Sequence, residues 1–91
     1  MNTYVVKSGT HDSERFDPLR LHGSIVAACL TVRALEGEAH IAAERVCREV
    51  IDWLSEKTEV SSEDIHRVAA AALTQYHPDA AYMYEQQEMI V

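Results

Sequence analysis

Apolar residues recur along this chain at two spacings, which divide it into a short extended part and a longer helical part. Residues 3–7 (Thr-Tyr-Val-Val-Lys) are rich in strand-forming residue types, and residues 13–16 (Ser-Glu-Arg-Phe) are a second short extended candidate. The intervening residues 8–12 include a glycine and several turn formers. The pattern therefore predicts a β-hairpin over about 3–16.

After the hairpin, apolar residues repeat every three or four positions, the spacing that lines one face of a helix. Asp17-Pro18 is typical of an N-cap followed by proline at the first helical position, and His77-Pro78 interrupts the last helical pattern. The predicted helices cover about 18–32, 38–56, 62–76 and 78–89.

The connection before the third helix, residues 57–60, is either a plain linker or contains a short extended piece at Glu59-Val60. We therefore expect a single domain over 1–91 of the α+β class, mainly α. In this fold a small N-terminal β-hairpin or short sheet caps a four-helix bundle.

Composition narrows the classes of function. The chain has 91 residues, 47% of them hydrophobic, and carries 8 basic against 15 acidic residues, a net charge of −7. One core fits this length, and a surface this acidic repels nucleic acid and anionic lipid. No apolar run approaches the length of a membrane span, and the N-terminal residues do not have the pattern of a signal peptide. We expect no nucleic-acid or membrane partner and a cytoplasmic location.

The acidic charge is concentrated after residue 22, since residues 1–22 hold three basic and three acidic side chains. An anionic ligand would therefore bind near the N-terminus, where Lys7 lies on the first strand and Arg20 in the first turn of the first helix. A cation there opposes the helix dipole unless it binds an anion together with the helix N–H groups. Ordinary surface charge is the alternative.

Enzyme and metal motifs give no support for catalysis. The sequence has no HExxH, no GxSxG and no glycine-rich phosphate loop. Cys29 and Cys47 fall on apolar helical stripes without a CxxC motif, which predicts buried, reduced thiols. The histidines share no ligand spacing; they are His11, His22, His40, His66 and His77. We expect no enzyme and no metal site.

Short motifs follow one another along nearly the whole chain: Val-Val-Lys-Ser-Gly at 5–9, Phe-Asp-Pro-Leu-Arg-Leu at 16–21 with Ser-Ile at 24–25, Val-Ser-Ser-Glu-Asp-Ile-His at 60–66, and Ala-Ala-Tyr-Met-Tyr at 80–84. In this order they resemble the ATP-cone, the nucleotide-binding regulatory domain of many ribonucleotide reductases and of the repressor of their genes. The resemblance implies a module that binds ATP or dATP, with Mg²⁺ on the phosphates, and does not hydrolyse it.

The resemblance also implies which residues contact the phosphates. Lys7 and Arg20 match the basic residues that hold them, and Ser62 matches a nearby hydroxyl. The competing structural role is helix capping, since either Ser61 or Ser62 is suited to be an N-cap.

The base and the sugar involve a second set of residues. By the same resemblance, Glu14 and Asp17 lie near the base, the backbone around Val5 lines its pocket, and His66 in the first turn of the third helix lies near the ribose. The alternatives are an N-cap for Asp17, a cross-strand ion partner for Glu14 and a solvent-exposed His66.

Two departures from the family pattern affect affinity. Ser8 stands where the family has an arginine, and residues 85–91 replace a basic C-terminal end. Loss of these cations implies weaker binding or a less phosphorylated nucleotide.

The partner is expected to be another protein, by resemblance ribonucleotide reductase. We also expect a nucleotide-dependent oligomer in which the apolar tail 89–91 is a candidate contact. The alternatives are an interaction module that kept the fold but lost the nucleotide, or a fragment of a larger reductase. Met1 and the end of the chain soon after the fourth helix favour a complete, free-standing protein over a fragment.

Overall fold

Three short strands and four helices make up the part of the chain that the structure, a computed structural model, describes: residues 3–6 and 13–87. The strands are β1 (Tyr4–Val6), β2 (Ser13–Arg15) and β3 (Glu59–Ser61). The helices are α1 (Pro18–Thr31), α2 (Glu36–Leu54), α3 (Ser62–Tyr76) and α4 (Pro78–Gln86). The α+β, mainly α fold is therefore confirmed.

The strands form one mixed sheet in the order β2-β1-β3. β1 and β2 are antiparallel, with Val5 opposite Glu14, which confirms the two strands of the hairpin. Its connecting residues lie outside the described part. β1 and β3 are parallel, with Val5 opposite Val60, so the extended piece at Glu59-Val60 is a true strand.

The helices form an antiparallel bundle beneath this sheet. Cys47 Sγ in the second half of α2 lies 3.8 Å from the carbonyl oxygen of Pro18 at the start of α1, and the single residue His77 joins α3 to α4. Since consecutive helices alternate in direction, α1 and α3 are parallel. Both begin directly after a strand, so their N-termini lie at the end of the bundle that carries the sheet, here called the sheet end.

Every helix contributes apolar side chains to the core between the sheet and the bundle. Val5 and Val60 face it from the sheet, and both cysteines are free and buried. This confirms the expectation of buried thiols, and burial raises the pKa of the Cys47 thiol to about 11. The helical side chains with no exposure include Leu21, Ile25, Val46, Val50, Leu54, Ile65 and Leu73.

The predicted boundaries of two helices are wrong. α2 begins and ends two residues earlier than the predicted 38–56. It begins at Glu36, whose negative charge interacts favourably with the positive, N-terminal end of the helix dipole. At its other end, the Lys57 N–H donates to the Leu54 carbonyl at 2.9 Å and closes a turn. α4 ends at Gln86 because Gln87 has extended backbone angles (φ −75°, ψ 155°).

Side-chain caps fix the starts of α1 and α3. The Asp17 carboxylate accepts from the Leu19 N–H at 3.0 Å. In α3, Ser61 Oγ accepts from the Asp64 N–H at 3.0 Å, while the Asp64 carboxylate accepts from the Ser61 N–H at 3.5 Å, a complete capping box. Hydrogen bonding with the Ser61 side chain, and then with its N–H and with Arg67, holds the pKa of Asp64 below its ordinary value.

Replacement of the capping serine tests the α3 start. Ser61→Ala should lower the free energy of unfolding by about 1 kcal/mol, measured by urea denaturation at pH 7. The folded pKa of Asp64 is depressed, so its contribution is present above its unfolded pKa and is lost as the pH falls through the folded pKa. The difference between the variants should therefore shrink in acid.

Ser24→Ala is the matched control, because the Ser24 hydroxyl donates to the Arg20 carbonyl of its own helix at 3.0 Å and is no cap. Its stability should stay within about 0.5 kcal/mol of the wild type. Equal losses in the two serine variants would contradict the capping role.

Candidate functional site

The sheet end brings together two helix N-termini and the hairpin strands. The N–H groups at each helix start carry partial positive charge, which attracts anions. The sheet order places β2 at one edge of β1 and β3 at the other, so the candidate residues form two groups on either side of β1. Lys7, the cation predicted on the first strand, lies outside the described residues.

The first group joins β2 to α1 through an ion pair. Arg20 Nη1 donates to Glu14 Oε1 at 3.0 Å, with both side chains partly exposed. Glu14 lies opposite the buried Val5, and directly opposed residues point to the same face of a sheet, so its carboxylate is on the helix side. The residue directly opposite Glu14 is the uncharged Val5, and Arg20 on α1 is an ion partner of the Glu14 carboxylate.

Asp17 belongs to the same end but has a structural task. Its Oδ1 atom is occupied by the Leu19 N–H, and Pro18 follows as the first helical residue. The N-cap interpretation of this residue is confirmed. Since Asp17 precedes Arg20 by almost one turn, its cap also sets the direction in which α1 presents the guanidinium.

The second group lies at the start of α3. Ser61, rather than Ser62, is the N-cap, and Ser62 is the first helical residue, only 5% exposed. Ser62 and His66 are four residues apart and therefore lie on one face of α3. His66 is the fifth residue of the helix and opens its second turn, one turn later than expected.

His66 has an unusual environment. Its ring stacks on Tyr84 of α4, with the centroids 4.4 Å apart and the planes inclined by 21°. Nδ1 and Nε2 of His66 and the Tyr84 hydroxyl are the buried side-chain N and O atoms that lack a hydrogen-bond partner in the described part of the chain. The alternative of a solvated imidazole is therefore wrong, because solvent does not reach either nitrogen.

Tyr84 is the residue that the sequence argument did not assign to the site. It is 1% exposed and lies on the buried face of α4 with Ala80 and Ala81. A tyrosine at a core position among alanines is itself a signal, because a buried phenol normally finds a hydrogen-bond partner. The sequence of the fourth helix therefore already indicated a buried tyrosine hydroxyl in need of a partner.

Two surface cavities border these residues. One of about 440 Å³ lies between α3 and α4 and includes His66, Arg67 and Glu85 in its wall. Another of about 280 Å³ lies between α1 and α2 and is lined by Leu19, Ile51 and their neighbours. The first is within the size range of small-molecule clefts.

Within residues 3–6 and 13–87, no three His, Cys, Asp or Glu side chains are placed to hold a metal ion together. Over the same residues, no helix combines the length and apolarity needed to cross a membrane. Comparisons with protein-family models, with curated proteins and with solved structures found no match for this chain.

The partly exposed ion pair should matter little for stability. Arg20→Ala and Glu14→Gln should each change the free energy of unfolding by less than about 1 kcal/mol, as is usual for surface ion pairs. Leu21→Ala, at the adjacent but fully buried position, should cost about 2–5 kcal/mol. Urea denaturation measures all three; a large loss in the Arg20 variant would make the pair a structural element.

Proposed function

We propose that this domain binds ATP or dATP at the sheet end and acts as a regulatory module that senses the nucleotide without hydrolysing it. One observation carries the proposal. Residues that the ATP-cone resemblance assigns to the nucleotide come from separate parts of the sequence, yet β1, β2, α1 and α3 meet at one end of the fold. A shared ligand explains why polar groups are gathered there.

Arg20 and the start of α3 supply the attraction for phosphates. Arg20 has five N–H donors, so one can keep the bond to Glu14 while others bind a phosphate oxygen. Ser62 lies where the α3 N–H groups carry partial positive charge. Lys7 completes the proposed cationic set, and Mg²⁺ would be held by the phosphates themselves.

The base and sugar occupy the remaining positions in the proposal. The Glu14 carboxylate accepts from the adenine amine against the backbone around Val5, and His66 binds the ribose. The two groups lie on opposite sides of β1, and two strand spacings amount to about 10 Å. A nucleoside triphosphate is long enough to span that distance.

The regulatory output requires a partner. The resemblance supports ribonucleotide reductase as that partner and nucleotide-dependent assembly as the response. The tail 89–91, the proposed contact, lies outside the described residues. We place the domain in the cytoplasm, where two buried free cysteines are stable as thiols.

A second candidate function is a protein-interaction module of the same fold without nucleotide binding. Leu19 is 81% exposed and borders the cavity between α1 and α2, whose wall also includes Ile51. An exposed leucine beside an apolar cavity is typical of a contact surface. Nucleotide titration separates the two functions, because only the first predicts binding.

Calorimetric titration with ATP, dATP and GTP tests the proposed function directly. We expect binding of both adenine nucleotides, and a loss of about 1.5–3 kcal/mol of binding free energy in Arg20→Ala, the value of a hydrogen bond to a charged group. Lys7→Ala should have a loss of the same size.

Arg45→Ala is the control, because the Arg45 guanidinium lies 5.7 Å from the Tyr76 ring, near the C-terminal end of α3 and away from the sheet end. Its affinity should match the wild type. Absence of binding by all three nucleotides, or unchanged affinity in the double Lys7→Ala, Arg20→Ala variant, would overturn the proposal.

The sugar contact predicts discrimination between ATP and dATP. If His66 binds the 2′-hydroxyl, the wild type should prefer ATP by about tenfold, and His66→Ala should weaken ATP more than dATP. His40→Ala, at a histidine with a 53% exposed side chain on α2, should leave the ratio unchanged. Equal weakening of both nucleotides by His66→Ala would assign His66 to the pocket without a sugar contact.

A further inference from the structure

Three buried polar atoms between α3 and α4 have no hydrogen-bond partner within the described part of the protein. Their missing partners indicate a ligand that would supply the hydrogen bonds. Burying a polar atom without a partner is costly, and such atoms are rare in folded proteins. In the described structure they are concentrated on a single pair of side chains, His66 and Tyr84. Unpartnered atoms that lie together indicate a binding site more strongly than the same number scattered through the fold would.

The stacked geometry prevents the two side chains from satisfying each other. With an inclination of only 21° and a centroid distance of 4.4 Å, the rings lie nearly face to face. Ring nitrogens and the phenol oxygen form hydrogen bonds close to their own ring planes. Each side chain therefore needs a partner at the edge of its own ring.

Tyr84 is held in place as a neutral donor. Burial raises the pKa of its hydroxyl far above the ordinary value, and the nearby Cys47 adds to the effect, so the phenol stays protonated. The ring is 1% exposed and cannot turn its hydroxyl to solvent. Packing alone would be served equally well by phenylalanine, so the hydroxyl needs another explanation.

We propose that the His66–Tyr84 stack reads the vicinal diol of the nucleotide's ribose, with His66 on the 2′-hydroxyl and Tyr84 on the 3′-hydroxyl. This inference rests on the proposed nucleotide-binding function. Two adjacent hydroxyls, each both donor and acceptor, match two stacked rings whose polar atoms each lack a partner in the described structure. Tyr84 thus becomes a sugar-specificity residue supplied by α4.

Access to the pair requires a local movement. The three polar atoms are closed to solvent, but His66 also borders the cavity of about 440 Å³ whose α4 wall includes Glu85, the neighbour of Tyr84. A sugar entering from this side must loosen the α3–α4 contact. Binding therefore changes the packing of α4, which provides a route from nucleotide to partner.

Tyr84→Phe tests the proposal because it keeps the ring and removes only the hydroxyl. We expect two opposite effects. The melting temperature without nucleotide should rise by about 4–8 °C, because a buried unpaired hydroxyl is gone. ATP affinity should fall about fivefold to tenfold, because a hydrogen bond to the sugar is lost.

Nucleotide analogues assign the contact. Calorimetry with ATP, 2′-deoxyATP and 3′-deoxyATP should show that Tyr84→Phe abolishes the preference for ATP over 3′-deoxyATP and keeps the preference over 2′-deoxyATP. Tyr82→Phe is the matched control on the same helix, since Tyr82 is 63% exposed, and neither its melting temperature nor its affinities should change.

The failure outcomes are distinct. A lower melting temperature for Tyr84→Phe would show that the hydroxyl has a partner in the free protein and would overturn the inference. Wild-type affinities for all three nucleotides in that variant would overturn it too, while leaving the proposed function in place. A wild-type protein that binds no adenine nucleotide would overturn both.

Discussion

The parallel pairing of β1 with β3 is the constraint on which the rest of this structure depends. It joins Val5 to Val60 across most of the chain, and parallel strands require a crossover, here α1 and α2. Hydrogen bonds at the same place strengthen it: the Thr3 hydroxyl donates to the Lys57 carbonyl at 3.0 Å, and the Tyr4 N–H donates to the Thr58 carbonyl at 3.0 Å. Because α3 begins immediately after β3, the pairing also fixes where the helix N-terminus lies relative to the hairpin.

In the proposed function, some residues at the sheet end stabilise the helix starts and others bind the ligand. Asp17 and Ser61 satisfy the helix starts, so the stability of α1 and α3 does not depend on a bound anion. The Arg20–Glu14 pair is partly exposed, and ion pairs of this kind contribute little to stability, so the proposed contact of Arg20 with a ligand does not require loss of the fold. The His66–Tyr84 stack, in contrast, joins a buried tyrosine to a partly buried histidine whose ring nitrogens lack a partner among the described residues, and in the proposal the ligand that binds it changes the helix contact.

Local signals predicted a large part of the fold because their physical causes are local. Proline at the first helical position and the Ser-x-x-Asp capping box give α1 and α3 their starts whatever surrounds them. The predicted start of α2 is wrong because Leu35 provides no side-chain cap to mark it, and because Gly37, a residue type unfavourable inside helices, is helical here. The sequence left residues 57–60 as either a linker or a short strand. Three residues with a single apolar position are too few to show the alternation of apolar and polar residues that marks a strand.

The sequence by itself determined the helical stripes, the inward-facing thiols, the acidic balance and the set of residues that resemble a nucleotide site. The tertiary structure alone decided which of those residues meet. Arg20 pairs with Glu14 because β2 lies at the sheet edge above α1, and the ring nitrogens of His66 are closed to solvent where α4 folds back and places Tyr84 against the ring. Neither contact follows from spacing along the chain, because each depends on elements that come together only when the sheet and the bundle close around a common core.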